Sequence, residues 1–299
     1  MNKTATWLII LAVGAGWAYA QEQTTEENPY AWKTHLEAGL ALTQSAYSDN
    51  WTGGEVGSII WAANLHGTAE KQLSAKFRNE NDLKLAFGQT HSQNQETKVW
   101  SKPQKSTDKI RFDTILKLTL NAWVDPYVAG VFESQFYDAS VPEVKRYINP
   151  MTLTESVGAS RTLFDRENGK ATTRLGFGMR QVINRAVVDT LEGTTETETS
   201  YDGGIEWVTD WMALLSETLT YTTKLTVFQA FFYSEAEDLE GTEKADYWKA
   251  ADMAWENLLT ARVSKIVQVS LAWELLYDKE IDKGGRFKET LALGVAWAL

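Results

Sequence analysis

The sequence predicts an all-β fold, a transmembrane antiparallel up-and-down β-barrel of about twelve strands. The first observation behind this prediction is an alternation of apolar and polar residues, which places the two kinds on opposite faces of a strand. In residues 267–277, valine, leucine, tryptophan and tyrosine fill the odd positions, and mostly polar or small residues fill the even ones. The second is the aromatic content, 13 Trp, 11 Tyr and 11 Phe, because rings with polar edges suit a membrane interface.

Segments with this alternation follow one another along the whole chain. About twelve are centred near residues 38, 64, 83, 114, 131, 157, 176, 205, 225, 256, 272 and 293. Their connections alternate in length, so that all long loops should lie at one end of the barrel, as in outer-membrane barrels with short periplasmic turns. The connections predicted to be long are residues 46–57, 92–105, 138–150, 184–200 and 233–245.

Alternation alone also fits a soluble barrel with an apolar interior. Three features favour a membrane barrel, whose apolar face points outward. Aromatic residues collect near strand ends, as interfacial girdles do, and the last strand can pair with the first, which leaves no open sheet edge. The polar face is also rich in small residues, as a crowded interior requires: Gly39, Gly88, Gly176, Gly178, Ala272 and Gly294.

The first twenty residues have the pattern of a secretory signal peptide. Lys3 precedes a short apolar stretch that ends at Ala18-Tyr19-Ala20 and falls short of the roughly 20 residues that a membrane helix needs. We therefore expect a signal peptide over residues 1–20, a periplasmic leader over 21–31 and a barrel domain over 32–299. The expected location is the outer membrane of a Gram-negative cell. The expected partners are outer-membrane lipid, periplasmic chaperones and the barrel-assembly machinery.

Composition excludes several classes of function. The chain has 29 Lys and Arg against 40 Asp and Glu, a net charge of −11, which argues against a nucleic-acid partner. It has no cysteine, which excludes disulfide scaffolds, thiolate-ligated zinc and thiol chemistry. No glycine-rich phosphate loop or dinucleotide fingerprint is present. The sequence therefore predicts no cofactor.

A resemblance rests on seven stretches, taken in their order along the chain: Asn50-Trp51-Thr52-Gly53-Gly54, Leu83-Lys84-Leu85-Ala86-Phe87-Gly88, Lys105-Ser106-Thr107-Asp108-Lys109-Ile110, Glu133-Ser134-Gln135-Phe136, Trp255-Glu256-Asn257, Leu276-Tyr277-Asp278 and Phe287-Lys288-Glu289. These stretches resemble a family of uncharacterised bacterial outer-membrane barrels, catalogued as a domain of unknown function. The resemblance extends from about Leu36 to Leu299 and implies an outer-membrane barrel without an assigned activity. Such barrels usually end in Phe or Trp, whereas this chain ends in leucine.

The polar faces would line the lumen with charges of both signs. Two interpretations stay open. The charges can line a pore that selects solutes, or they can form salt-bridged pairs that plug it, since twelve strands lie between the eight that side chains fill and the sixteen that leave a channel. The predicted lumen-lining residues are Arg111, Asp113, Lys117, Glu133, Arg174, Arg180, Glu206, Lys224, Glu256, Arg262 and Glu274.

The predicted function is a passive channel for small solutes, and the alternative is a structural or ligand-binding barrel with a plugged lumen. Acidic residues in 189–202 and 235–246 would place a negative potential at the long-loop mouth, which predicts a preference for cations. Their spacing fits no calcium loop, so no metal site is predicted. An enzyme is not expected. The third alternative is a barrel lipid hydrolase that pairs Ser92 with a histidine from another strand, without a nucleophile motif; the histidines are His35, His66 and His91.

Overall fold

The chain forms one closed barrel of twelve antiparallel strands. The computed structural model describes residues 28, 30–48, 55–120 and 122–298, so the predicted signal peptide, most of the predicted leader and the Asn50–Gly54 stretch lie outside the described residues. The predicted fold class is confirmed, and each predicted strand centre falls inside an observed strand. The barrel strands are β1 (Lys33–Ser45), β2 (Ser58–Gln72), β3 (Phe77–Ser92), β4 (Gln104–Leu118), β5 (Asp125–Ser134), β8 (Met151–Arg166), β9 (Gly169–Asp189), β10 (Thr194–Leu214), β11 (Leu219–Tyr233), β12 (Asp252–Arg262), β13 (Val267–Tyr277) and β14 (Arg286–Ala298).

Two further strands, β6 (Tyr137–Asp138) and β7 (Arg146–Tyr147), form a small hairpin between β5 and β8. A short 3₁₀ helix, Tyr247–Lys249, lies in the connection between β11 and β12. Every barrel strand pairs with the strands before and after it, and β1 pairs with β14 through partners such as Gly39 and Ala296. Closure therefore leaves no unpaired edge, as the pairing of first and last strands predicted.

The connections are long at one end of the barrel and short at the other. At the short-turn end, β2–β3, β8–β9, β10–β11 and β12–β13 are joined by residues 73–76, 167–168, 215–218 and 263–266. The prediction of a long loop over 184–200 is wrong. There β9 and β10 continue as a hairpin up to a turn at Gly193, whose φ of +68° suits a residue without a side chain. Alternating threonine and glutamate in residues 194–199 favours strand here, because threonine is β-branched.

The outward face of the barrel is a broad apolar surface. No helix among the described residues is long and apolar enough to span a membrane. Exposed apolar patches of soluble monomers rarely exceed a few hundred Å², so a belt that extends over most of the barrel strands needs an apolar environment. Exposed members of this belt are Leu40, Leu42, Phe112, Leu116, Val128, Leu153, Val157, Leu175, Phe177, Ile205, Trp207, Trp211, Trp255, Phe287, Leu291, Leu293 and Trp297.

Candidate functional site: the barrel lumen

An ion pair that crosses the barrel identifies the inward face of the strands. Lys109 Nζ on β4 lies 2.7 Å from Glu256 Oε1 on β12. In the strand order, five strands separate β4 from β12 in either direction, so the two stand on opposite walls. Their side chains can meet only through the lumen. Inward positions follow from this pair through the alternation and the register of each strand.

Below Lys109 a second set of charges joins the same two walls. Arg111 Nε lies 2.7 Å from Asp113 Oδ2, and Arg111 Nη1 lies 2.6 Å from Glu133 Oε1 on β5. From the far wall, Lys224 Nζ on β11 reaches Asp113 Oδ1 at 3.0 Å. We call Lys109, Arg111, Asp113, Glu133, Lys224 and Glu256 the ion-pair layer. Each charge in the layer has a partner of opposite sign, which offsets part of the cost of removing it from water.

On one side of the ion-pair layer, side chains fill the lumen. This filled half comprises β5, β8, β9, β10 and β11. Tyr127 and Val208 are 2 % and 1 % exposed, and the Tyr127 ring faces Gly176, where a Cβ would lie 2.6 Å from its hydroxyl oxygen. Glycine on the wall therefore makes room for a large ring inside the barrel. Other buried inward side chains of this half are Ala129, Val131, Ser156, Ser160, Glu206, Phe228 and Ala230.

On the other side, the lumen wall carries a patch of small side chains next to charged and polar ones, among them Glu37, His66, Asp82, Lys84 and Glu274. This open half comprises β13, β14, β1, β2 and β3. Within the described parts of β13, β14, β1 and β2, only Ala296 has an inward side chain that is buried. Asn64, Thr290 and Lys288 point inward and are exposed. Water therefore reaches this wall at these three positions. Inward alanines and glycines line it: Gly39, Ala41, Ala62, Ala272, Ala292 and Gly294.

Two cavities lie above and below the ion-pair layer. The larger, about 440 Å³, opens toward the long loops and is lined by Lys109, Arg111 and Glu256 on its floor. The smaller, about 180 Å³, lies toward the short turns and is lined by Asp113 and Lys224. The layer therefore forms the floor of one cavity and the roof of the other.

All eleven predicted lumen residues lie on the inward face, in different environments. Five of them, Arg111, Asp113, Glu133, Lys224 and Glu256, belong to the ion-pair layer. Lys117 pairs with Glu80 at 2.7 Å, and Arg180 pairs with both Asp202 and Asp252. The remaining four are Arg174, whose guanidinium lies 5.8 Å from the ring centre of Tyr127, the buried Glu206, Glu274 beside the larger cavity, and the exposed Arg262 at the short-turn end.

Sequence reasoning missed Lys109, the residue that spans the lumen. The connection predicted over 92–105 leaves Lys109 outside the loop, and β4 begins at Gln104. Lys109 shares the parity of Arg111 and Asp113, so the alternation could have found it. Its partner on the opposite wall could not be found, because alternation assigns a face but not a neighbour across the lumen.

The long-loop rim carries acidic residues close to the larger cavity. Burial, reinforced by the charges of Asp278 and Asp252, raises the pKa of Glu280 to about 7. Asp202, assigned from sequence to an acidic loop, lies instead inside β10, where it is buried and paired with Arg180. No group of three or more acidic or histidine residues suited to a metal ion occurs within the described ranges.

The structure does not assemble the serine–histidine pair considered for a lipid hydrolase. His91 stacks on Trp100 at 4.9 Å between ring centres, and His66 Nε2 lies 2.9 Å from Asp82 Oδ2. Ser92 N donates to Ser101 Oγ at 3.4 Å and the Ser92 carbonyl oxygen accepts from Ser101 N at 2.8 Å, and none of the hydrogen bonds of the described residues joins the Ser92 hydroxyl to a histidine. These contacts give no nucleophile–base geometry of the kind that such hydrolases use.

One family model matches the chain. Its description is "Protein of unknown function (DUF3078)", and it covers residues 42–139, about a third of the 299 residues. The resemblance to a family catalogued as a domain of unknown function is confirmed for this segment. A comparison with curated proteins gives no match.

Solved structures that resemble the chain are barrels of low sequence identity. An outer membrane channel from Pseudomonas putida F1 is 12 % identical with a TM-score of 0.40, over 92 % of this chain and 99 % of the other. The translocator domain of the autotransporter NalP from Neisseria meningitidis is 8 % identical with a TM-score of 0.37, over 91 % and 90 %. The NanC porin is 9 % identical with a TM-score of 0.38, over 89 % and 100 %. Likeness at this level says nothing about what this chain conducts or binds.

Proposed function

We propose that the protein is an outer-membrane barrel that acts as a passive channel for small solutes. The observation that carries this proposal is the open half of the lumen, where Asn64, Thr290 and Lys288 are exposed and a patch of small residues lies beside the ion-pair layer. A barrel built only for rigidity would gain by filling both halves with side chains, as β5 and β8 to β11 do here. An accessible polar lumen inside a closed barrel is the arrangement that conducts small hydrophilic solutes.

The outward face supports the membrane part of the proposal. Besides its apolar belt, its polar groups bond to one another. Asn257 is 4 % exposed and accepts hydrogen bonds from Tyr221 Oη at 2.7 Å and Thr223 Oγ1 at 2.8 Å. Trp255 Nε1 donates to Thr223 Oγ1 at 2.9 Å. Lipid offers no hydrogen-bond partners, so outward polar groups in a membrane must be satisfied in this way.

We further propose that the channel favours cations and small cationic solutes. The net charge of the chain is −11, and acidic residues concentrate in the long-loop connection between β11 and β12. A potential of one sign at a narrow mouth concentrates ions of the opposite sign. The layer inside the lumen is mixed in sign, so the preference should arise at the mouth.

A plugged barrel is the second candidate, and the ion-pair layer favours it. Charges that join opposite walls are the arrangement expected if side chains close the lumen. The two candidates differ in whether the open half is continuous for ions from one mouth to the other.

Conductance in a planar lipid bilayer tests the proposal. Purified protein refolded into vesicles should give discrete single-channel steps in KCl and should let small sugars swell the vesicles. A folded barrel without conductance would overturn the channel and leave the plugged barrel.

A further inference from the structure

The ion pair between Lys109 and Glu256 occupies a special place in the lumen. The pair spans the lumen between opposite walls, with the filled half on one side of it and the open half on the other. Its side chains are 34 % and 23 % exposed, whereas those of Asp113 and Lys224 are 15 % and 13 % exposed. Of the two links between opposite walls, Lys109–Glu256 is therefore the one more accessible to water.

The same pair limits the space that remains beside it. Lys109 and Glu256 line the floor of the larger cavity, and inward residues of the open half lie beside them at the same height. Glu274 is the register partner of Glu256 on β13, and Ala272 lies one inward position below it. Glu274 and the exposed Lys288 extend into the same cavity from the open half, but Lys109 and Glu256 are joined across the lumen, so their reach limits the free width at this level.

We infer that the Lys109–Glu256 pair is the size-determining constriction of the channel, a wall of side chains that a solute must pass within the open half. This inference rests on the proposed channel function. The solutes it admits are small and hydrophilic, because both flanks of the passage carry exposed charge and offer hydrogen bonds to replace lost water. Larger solutes are excluded by the pair and not by the backbone of the barrel.

Removing both charges tests this inference. The double variant Lys109→Ser with Glu256→Ser should raise single-channel conductance by about twofold or more and should admit larger sugars in vesicle-swelling assays. Without the two long side chains, the barrel wall alone would limit the free width of the lumen. The reversed pair, Lys109→Glu with Glu256→Lys, should restore the original conductance and size limit.

Glu274→Ser is the matched control. It removes a carboxylate from the neighbouring strand, on the inward face and beside the same cavity, and Glu274 takes part in none of the ion pairs of the described residues. Its conductance and size limit should change less than those of the double variant. An equal rise in this variant would mean that loss of any lumen charge enlarges the pore, and it would overturn the assignment to the pair.

A single substitution gives a second measurement if the double variant does not fold. The chain contains no cysteine, so Glu256→Cys can be modified selectively with a methanethiosulfonate reagent. Modification at position 256 should reduce conductance strongly, and modification of Glu274→Cys should reduce it less. Equal block at both positions would overturn the inference.

The outcomes separate the inference from the channel itself. If the unaltered protein conducts and the serine double variant conducts equally, the constriction is overturned and the channel stands. If the unaltered protein is silent and the double variant conducts, the pair is the closing element and the passive channel is overturned. If both are folded and silent, both proposals are overturned.

Discussion

At the scale of single residues, the direction in which a side chain points determines how much a charge at that position destabilises the barrel. Leu293 on β14 points outward and is 64 % exposed, whereas Thr290 on the same strand points into the open half. Their positions are three residues apart and their surroundings are opposite. Hydrocarbon penalises a charge, and a water-filled lumen does not.

Leu293→Arg should therefore destabilise the barrel in lipid. A charge on the lipid face near mid-membrane costs roughly 2–4 kcal/mol, and the same charge in the lumen costs less. Urea titration in vesicles measures the free energy of unfolding, with Thr290→Arg as the control. If Thr290→Arg were the damaging change and Leu293→Arg harmless, the two faces would be assigned the wrong way round.

Glu280 at the rim should make stability depend on pH. Burial and the charges of Asp278 and Asp252 raise its pKa from 4.5 to about 7. A carboxyl with a raised pKa binds its proton more tightly in the folded state, so the free energy of unfolding falls as pH rises from about 4.5 to about 7. Glu280→Gln should lower that dependence, whereas Glu217→Gln in the turn 215–218 should not. Unfolding temperatures at pH 5 and pH 8 measure this pH dependence. An equal change between the two pH values in the unaltered protein and both variants would contradict the expectation.

At the scale of elements, the β6–β7 hairpin depends on one buried ion pair. Arg146 Nη2 lies 3.0 Å from Asp138 Oδ2, both residues are 5 % exposed, and Arg146 Nη1 donates to the carbonyl oxygen of Arg185 at 3.0 Å. Burial alone would raise the pKa of Asp138, but hydrogen bonds from Ser140 and Asn149 and the charge of Arg146 hold it below its usual range. Asn149 adds hydrogen bonds with Asn184 and Arg185 that also tie this region to β9, and Val144 adds apolar burial.

Arg146→Ala should loosen this hairpin and leave the barrel closed. Breaking a buried ion pair leaves Asp138 charged without its partner, which costs about 3–5 kcal/mol. Amide hydrogen exchange in residues 135–150 should speed up by about two orders of magnitude, while exchange in β9 to β12 should stay slow. Lys145→Ala removes the neighbouring exposed cation and serves as the control. Unchanged exchange in Arg146→Ala would show that other contacts hold the hairpin.

At the scale of the whole molecule, charge is divided between a mixed lumen and an acidic mouth. Members of the ion-pair layer compensate one another, whereas Glu237, Asp238 and Glu240 lie in the connection between β11 and β12. The field that a solute meets first is therefore negative. Salt screens this field within roughly 8 Å at 0.15 M.

Neutralising the acidic mouth should reduce cation preference without closing the pore. The variant replaces Glu235, Glu237, Asp238 and Glu240 by their amides, and reversal potentials under a KCl gradient measure the effect. The preference of the unaltered protein should shrink as salt rises, because the mouth charges are exposed to screening. Replacing Glu196 and Glu198 in the β9–β10 hairpin serves as the control for charge farther from this connection. Anion preference in the unaltered protein would contradict the role of the mouth.

The sequence by itself determined the strands and their faces, and it predicted the closure of the barrel. Strands and faces are local properties, since a strand shows its two faces every second residue and a turn needs its own residues. The errors were also local: Lys109 was left out of the predicted lumen-lining residues, and residues 184–200 were predicted as a loop although they continue β9 and β10. Asp202 was assigned to an acidic loop and lies inside β10.

Only the tertiary structure decided what the lumen contains. The meeting of Lys109 with Glu256 depends on the positions of strands more than a hundred residues apart, and no periodicity encodes a partner across the lumen. The same holds for the contrast between the filled and open halves, because Gly176 under Tyr127 and Gly294 on the open wall are equally small in sequence. What fills the space above a glycine is set by the opposite wall, and that wall is assembled only when the barrel closes.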